Sequence, residues 1–204
     1  MYEVEIRGLL DKAGASKLKA FLSKNGRYKG THKRMLIDYT PFSSDKNRDV
    51  RVRITDGKPE MIVKVGEWLG DIRDEAPVML REGELVNAIR LYSHLGYKKG
   101  FVIVRRIAKY DYRGIEFSVS EIIKIDKKLA ETPGYGFFFE AEIMSAKSAA
   151  AKAHRRIEGV LDELGLESMT NEGFAAFVNK MNESGNLLFD ADRFDLGLFR
   201  KYDK

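Results

Sequence analysis

Apolar and charged residues alternate strictly over residues 2–7 at the start of the chain. The charged positions are Glu3, Glu5 and Arg7, and each is separated from the next by one apolar residue. A period of two is typical of a β-strand, so the three charged side chains are predicted to share one face. This is the reverse of a strand whose inner face lies on an apolar core, and the charged face therefore calls for a ligand or for water.

A second segment with the same alternation lies far along the chain, at residues 135–144. Its charged positions are Glu140 and Glu142. Two carboxylate pairs on two strands could meet across a pocket and hold a divalent cation, because hard ions such as Mg²⁺ prefer oxygen ligands. The alternative is that both strands expose their carboxylates to water. The two patterns alone leave both interpretations open.

The remaining patterns predict three helices, a further helix near the end, and six more strands. The helices are predicted at residues 13–25, 84–95, 147–164 and 171–182, where apolar residues recur at helical spacing. The strands are predicted at residues 31–39, 50–55, 61–65, 71–79, 101–112 and 115–126. Asp56-Gly57 and Arg113-Gly114 are typical of hairpin turns. This order predicts an α+β protein with an antiparallel sheet interrupted by helices.

Charged residues occupy one face of every predicted strand except the second. Arg51 and Arg53 share a face, Lys64 lies on the returning strand, and Arg73 and Glu75 follow. A hydrocarbon core could not hold so many charges, so the interior of a curled sheet would have to be wet. Carboxylates at one position with Arg and Lys around them could bind a metal and a polyphosphate together.

Composition limits the classes of protein and of site. The chain has 204 residues, of which 44% are hydrophobic, and this predicts one domain, with room for an appendage. The absence of Cys excludes disulfides, thiolate nucleophiles and Cys-based zinc sites. No secretory signal and no apolar run of membrane-spanning length is visible, so we expect a cytoplasmic protein without a membrane partner.

The net charge and the remaining motifs only partly limit the class of ligand. The formal charge is +5, and residues 167–204 carry five Lys or Arg against seven Asp or Glu, so the basic surplus lies in residues 1–166. Such a surface suits nucleic acid, an anionic membrane or a phosphate-rich small molecule. A P-loop is absent. His32 and His94 lack a partner at a recognisable spacing, and Trp68 is interpreted as a packed surface residue.

These segments, taken in order, resemble the motifs of the CYTH superfamily, the triphosphate tunnel metalloenzymes. That superfamily includes class IV adenylate cyclases, thiamine triphosphatases and inorganic triphosphatases. The opening segment is similar to its Glu-x-Glu-x-Lys signature, and residues 136–142 resemble its Gly-x-Phe-x-Glu-x-Glu strand. The resemblance covers residues 1–166 and implies an eight-stranded antiparallel β-barrel, or tunnel, with flanking helices. It also implies Mg²⁺- or Mn²⁺-dependent chemistry on a triphosphate, with no nucleic-acid partner expected.

The resemblance also implies a role for individual residues. The metal-binding carboxylates would be Glu3, Glu5 and Glu142, with Glu140 as a helper or proton acceptor. The phosphate-binding and catalytic cations would be Arg7, Arg51, Arg53, Lys64 and Arg73, joined by Arg105 or Arg106. Because Arg105 and Arg106 are adjacent, only one of them can face the interior of a regular strand.

Three departures from the family pattern leave the reaction open. Arg7 replaces a Lys, the adjacent arginines replace a Lys-x-Arg, and Ser120 replaces an Asp, although Glu116 and Ser118 share its face. We expect hydrolysis of inorganic triphosphate or of a small organic ester such as ATP or thiamine triphosphate. The alternatives are a class IV type cyclase that makes cyclic AMP and pyrophosphate from ATP, and a noncatalytic module that binds polyphosphate or nucleotide.

The last part of the chain, residues 167–204, is predicted to be a helical extension packed on the same domain. Thr170 or Asn171 would cap its helix. The segment after that helix mixes Leu and Phe with Asp and is too apolar for a free tail. It could cover a barrel end, form a homodimer contact, or dock on another protein.

Overall fold

A computed structural model describes residues 2–45, 47–66 and 71–202 and confirms the α+β class. The strands are β1 (Tyr2–Leu10), β2 (Arg27–Asp38), β3 (Arg48–Thr55), β4 (Lys58–Val65), β5 (Ile72–Met79), β6 (Lys99–Tyr112), β7 (Ile115–Ile125), β8 (Glu131–Ser145) and β9 (Leu187–Asp190). The helices are α1 (Lys12–Asn25), α2 (Leu85–His94), α3 (Ala150–Leu164) and α4 (Asn171–Ser184). Short 3₁₀ turns lie at Thr40–Phe42, Lys147–Ala149 and Leu196–Lys201.

Eight of the strands close into an antiparallel barrel, as predicted. Their order is β2-β3-β4-β5-β1-β8-β7-β6, and β6 pairs back with β2 to complete the circle. The ninth strand, β9, pairs with the beginning of β6 outside the circle. Closure removes the free edges of the sheet, so every barrel strand has two neighbours.

The apolar core of the protein lies outside the barrel wall and not within it. One cluster packs α1 and α3 on β1 and β6 to β8, and includes Leu22, Phe117 and Ile157. The other packs α2, β9 and the last 3₁₀ turn on β2, β3 and β6, and includes Ile89 and Phe189. Because side chains alternate across each strand, apolar outward faces leave the inward faces for polar residues.

The two hairpin turns have the predicted geometry. Asp56 and Gly57 have φ angles of 49° and 77°, and Arg113 and Gly114 have φ angles of 54° and 68°. Two consecutive left-handed residues are typical of a type I′ turn, whose twist matches that of antiparallel strands. These turns fix the registers of β3 with β4 and of β6 with β7, and hence which side chains face inward.

Helix α4 lies across one end of the barrel and is held at both of its ends. The Met169 N–H donates to the Arg7 carbonyl over 2.8 Å just before the helix, and the Thr170 hydroxyl caps it. At its other end the Tyr135 hydroxyl donates to Ser184 Oγ over 2.6 Å. Between them, Phe174 and Met181 form a small buried cluster with Ile122 and Phe138 of the barrel.

The segment after α4 packs on the outside of the barrel through a few buried residues. Strand β9 within it was not predicted, because its run of three apolar residues lacks the alternation of a half-buried strand. Phe189 and Phe199 are both fully buried, with ring centroids 6.0 Å apart. Trp68, interpreted above as a packed surface residue, lies outside the described residues. No helix in the described ranges is long and apolar enough to cross a membrane.

Candidate functional site

The barrel encloses a charged cavity with about 1030 Å³ of empty space, a volume that includes its open mouth. Among the described residues, eight cationic and six acidic side chains line it. The cations are Arg7, Arg34, Arg51, Arg53, Lys64, Arg73, Arg105 and Lys109. The acids are Glu3, Glu5, Asp38, Glu75, Glu140 and Glu142. The cavity is therefore densely lined with charges of both signs, and the cations among them could bind an anionic ligand.

Strand β1 presents its three charged residues to this cavity, on the single face that the alternation predicts. Glu3, Glu5 and Arg7 are 5%, 4% and 5% exposed. The intervening Val4 and Ile6 turn outward and are buried against the helices. A strand that is apolar outside and charged inside thus places ionic groups where water is scarce, and their partners within the cavity determine their charge.

Arg73 links three carboxylates at the centre of this array. Its Nη2 atom lies 3.2 Å from Glu5 and 3.5 Å from Glu3, and its Nη1 atom lies 3.0 Å from Asp49. Lys64 Nζ donates to Glu3 over 2.5 Å, and the Arg7 guanidinium donates twice to Glu5 over 2.8 Å and 2.9 Å. The predicted phosphate-binding cations and the predicted metal-binding carboxylates therefore bind each other in this structure.

These contacts separate the pKa values of the two carboxylates of β1. Burial favours the neutral form of Glu5, but Arg7, Lys64 and Arg73 outweigh it and hold the pKa of Glu5 well below its usual value. Burial, together with the Glu5 charge, raises the pKa of Glu3 although Lys64 and Arg73 oppose it. Glu5 is therefore the firmly ionised member of the pair.

The basic strand β3 turns Arg51 and Arg53 inward, as predicted, and each arginine has an acidic partner that was not predicted. Arg51 Nε donates to Asp49 over 2.7 Å, and Arg53 Nε donates to Glu60 over 2.6 Å. Asp49 and Glu60 are 1% and 7% exposed. Asp49 lies on β3 itself, and Glu60 lies opposite Arg53 on β4. The pairing of Arg53 with Glu60 could not be predicted without the register of these two strands.

Of the two adjacent arginines on β6, Arg105 faces the cavity and Arg106 does not. Arg105 is 8% exposed and lies 3.6 Å from Glu140, whereas Arg106 is exposed on the outside of the barrel and donates to Glu121 over 2.9 Å. The sequence left open which of the two arginines faces the interior, and the structure places Arg105 there and Arg106 outside. The physical reason is the alternation of side chains along a strand, which puts neighbours on opposite faces.

Glu142 lies among other acidic residues of the cavity. It lies opposite Glu5 on β1 and opposite Glu116 on β7. No described residue forms an ion pair or hydrogen bond with its carboxylate. Burial, with the charges of Glu3 and Glu5, raises the pKa of Glu142 to about 8. A carboxyl group of this kind gains most from a cation placed among these acids.

The donor set in this part of the cavity fits a hard divalent cation in its chemistry, because every candidate ligand is a carboxylate oxygen. In the described residues, however, no three acidic or histidine side chains stand close enough together to hold a metal ion. Glu3 and Glu5 are engaged by Lys64, Arg73 and Arg7. They would have to exchange these partners for a metal, and an incoming phosphate chain offers the displaced cations new acceptors.

Several cavity residues were missed from the sequence. Arg34 and Asp38 come from β2, the strand described above as lacking a charged face, and Lys109 comes from β6. The signal was present for β2, because Met35 and Ile37 are buried in an outer cluster and their neighbours must face inward. Ser120, which stands where the family has an Asp, is fully buried, and its hydroxyl has no hydrogen-bond partner in the described structure.

The fold and the lining define the class of protein: a closed antiparallel barrel whose interior is a charged tunnel. It has the CYTH fold, as the resemblance predicted. PH1819 from Pyrococcus horikoshii OT3 matches with a TM-score of 0.67 and 19% identity, over 87% of this chain and 98% of that one. A proposed adenylate cyclase from Vibrio parahaemolyticus matches with a TM-score of 0.58 and 16% identity, over 83% and 94% of the two chains.

A third structure carries a further reported activity. HpAC1 from Hippeastrum, a proposed adenylyl cyclase described as having a dominant triphosphatase activity, matches with a TM-score of 0.52 and 16% identity, over 88% of this chain and 95% of that one. No protein-family model and no curated protein sequence matches the chain. At these identities the likeness establishes the fold and leaves the activity to the site.

Proposed function

We propose that this protein is a divalent-metal-dependent hydrolase of a triphosphate, either inorganic triphosphate or a small organic ester. The observation that carries the proposal is the convergence of eight cationic side chains on one enclosed cavity. Each phosphate of a triphosphate offers nonbridging oxygens to these cations, and Arg forks match phosphate geometry. The dominant triphosphatase activity reported for the similar HpAC1 structure supports hydrolysis over cyclisation.

In this proposal the cations bind and orient the phosphate chain. Arg51, Arg53 and Lys64 approach from β3 and β4, while Arg7 and Arg73 approach from β1 and β5. Because they are buried, their interaction with charge developing on the transferred phosphoryl group is less screened than it would be in water. Their present carboxylate partners would hold these cations in place and compensate their charge until substrate binds.

One acidic residue would accept the proton of the attacking water, and three others would hold the metal. Glu140 lies beside Arg105, with the nearest atoms 3.6 Å apart, and would accept the proton on a carboxylate oxygen. Glu142, Glu3 and Glu5 would hold Mg²⁺ or Mn²⁺, which when bound neutralises phosphate charge and lowers the pKa of bound water. The raised pKa of Glu142 supports this assignment, because a nearby cation relieves the repulsion among these carboxylates.

A product assay tests the proposal directly. The purified protein is given Mg²⁺ or Mn²⁺ together with inorganic triphosphate, ATP or thiamine triphosphate, each alone. We expect release of inorganic phosphate from at least one of them, and none when metal is chelated. Cyclic AMP and pyrophosphate as the products from ATP would favour the cyclase instead. Binding without any product would favour a noncatalytic module.

Replacing Arg53 tests the phosphate-binding role of the basic strand. Arg53→Ala is expected to weaken binding of inorganic triphosphate by about 1.5 to 3 kcal/mol, the usual range for hydrogen bonds to charged groups. The measurement is isothermal titration calorimetry in the presence of Mg²⁺. Arg106→Ala is the matched control, because Arg106 lies on the outer surface and should bind as the unmodified protein does. Equal affinity in Arg53→Ala would contradict the tunnel as the binding site.

A further inference from the structure

Two arginines face each other inside the barrel on neighbouring strands. Arg34 of β2 lies directly opposite Arg105 of β6, and both line the cavity. Like charges directly across an antiparallel pair are destabilising, and more so when they are shielded from water. A third cation, Arg53, adds to the repulsion felt by Arg34. Such an arrangement needs a compensating negative charge.

The protein itself supplies little of that charge. The guanidinium of Arg34 donates to the neutral Thr55 hydroxyl over 3.0 Å, and no described carboxylate lies within ion-pair distance of it. Among the described carboxylates, only Glu140 forms an ion pair with Arg105, with Nη1 and Oε1 3.6 Å apart. The buried Nε of Arg105 has no hydrogen-bond partner in the described structure. Arg7, by contrast, makes two hydrogen bonds to Glu5.

The ionisation of the two residues agrees with this geometry. Burial, followed by the repulsion of Arg53 and Arg105, lowers the pKa of Arg34 to about 10. Burial likewise lowers the pKa of Arg105, with only partial compensation from Glu140. At this pKa Arg34 still carries a positive charge at neutral pH, and Arg105 lies directly opposite it. They therefore form a local excess of cations within a cavity where most other cations are paired.

Arg105 has apolar neighbours on the side of the cavity that α4 covers. Arg105 lies opposite Ile122 of β7, and its guanidinium lies 5.3 Å from the centre of the Phe138 ring. Phe138 in turn contacts Phe174 and Phe177 of α4, at centroid distances of 6.1 Å and 6.2 Å. This wall limits water next to the two arginines and so strengthens their interaction with an anion.

We infer that Arg34 and Arg105 together bind one phosphate group of the substrate, at the end of the cavity that α4 covers. Arg34 is then a substrate-binding residue that no motif marks. Two guanidinium forks can donate to separate oxygens of the same phosphate, and the orphan Nε of Arg105 would gain an acceptor. The inference rests on the proposed function insofar as it needs a polyphosphate ligand in the tunnel.

The test compares Arg34→Gln with the matched exterior variant Arg106→Gln in calorimetric titrations with inorganic triphosphate and Mg²⁺. Arg34→Gln is expected to lower the affinity at least tenfold, whereas Arg106→Gln should leave it unchanged. Arg34→Lys keeps the charge and should recover part of the loss. Without ligand, the melting temperature of Arg34→Gln should equal or exceed that of the unmodified protein, because a repulsion is removed.

An unchanged affinity for triphosphate in Arg34→Gln would overturn the inference. A loss of affinity together with a lower ligand-free melting temperature would also overturn it, because that result would indicate a role in folding alone. Failure of the proposed function gives a different result. Triphosphate binding without turnover by the unmodified protein contradicts hydrolysis and leaves the role of Arg34 standing. Turnover by the unmodified protein, together with an unchanged triphosphate affinity in Arg34→Gln, contradicts only the role of Arg34.

Discussion

Removal of residues 183–204 is expected to lower the melting temperature by at least about 6 °C. This segment contributes Phe189 and Phe199, both fully buried in the cluster over β2, β3 and β6. Burying one such side chain stabilises a fold by about 1.5 to 3 kcal/mol, and each kcal/mol moves the melting temperature of a chain of this size by roughly 2 to 4 °C. Differential scanning calorimetry of the chain truncated after Asn182 measures the shift.

Two point variants in β9 separate packing from chain length. Phe189→Ala removes a side chain with no exposed surface and is expected to cost about 3 to 5 kcal/mol. Leu188→Ala, at the next position, changes a side chain that is 57% exposed and should cost no more than about 0.5 kcal/mol. If the truncated protein melted at the same temperature and kept its oligomeric state, the segment would be an appendage without a structural role.

Glu5→Gln and Glu142→Gln are each expected to abolish both turnover and the rise in melting temperature that Mn²⁺ produces. Each change keeps the size of the side chain and removes one negative charge from the proposed metal site. A ligand at about one hundred times its dissociation constant stabilises the folded state by roughly 2.7 kcal/mol, so the rise in the unmodified protein should be several degrees. A full Mn²⁺-induced rise in both variants would exclude these residues as metal ligands.

Without metal, the same two variants are expected to change stability in opposite directions. Glu5 accepts hydrogen bonds from the buried Arg7 and Arg73, so Glu5→Gln leaves buried cations undercompensated and should lower the melting temperature. Glu142 has no such partner among the described residues, so Glu142→Gln removes an uncompensated charge and should raise it. Glu121→Gln on the outer wall is the control and should change neither property.

The effect of Glu142→Gln should also depend on pH. The folded-state pKa of Glu142, about 8, lies above its unfolded value, so the folded protein binds the extra proton between these two pH values. Because of Glu142, the free energy of unfolding of the unmodified protein therefore falls progressively as the pH rises from about 5 to about 8. Metal-free melting curves at pH 6 and pH 9 should show the larger gain for Glu142→Gln at pH 9. An equal gain at both would assign it to packing.

The strand patterns in the sequence were sufficient to predict the fold and the residues that line one half of the cavity. The alternation in β1 and β8 and the paired arginines of β3 place charges on one face whatever the neighbouring strands do, because the side-chain period of a strand is two. The hairpin turns at Gly57 and Gly114 add the register of two strand pairs. These local rules act within a few residues, so the sequence reveals them directly.

The other half of the cavity depends on contacts between distant segments. Whether Arg105 or Arg106 faces inward depends on the register of β6 with β2 and β7, and Arg34 becomes notable only once it lies opposite Arg105. The linkage of Glu3, Glu5 and Asp49 by Arg73 joins three strands and has no counterpart in any single motif. Long-range pairing of this kind is determined by the closed barrel and not by local spacing.

The position of α4 across one end of the barrel has a consequence for longer ligands. A tube covered at one end by Phe174, Phe177 and their neighbours cannot be threaded by a polymer. A long polyphosphate would enter by its terminus and would have to withdraw after each cleavage before the next could occur. Action on such chains would therefore be distributive, with release between successive cuts, and the product of each cut would leave by the route along which the substrate came.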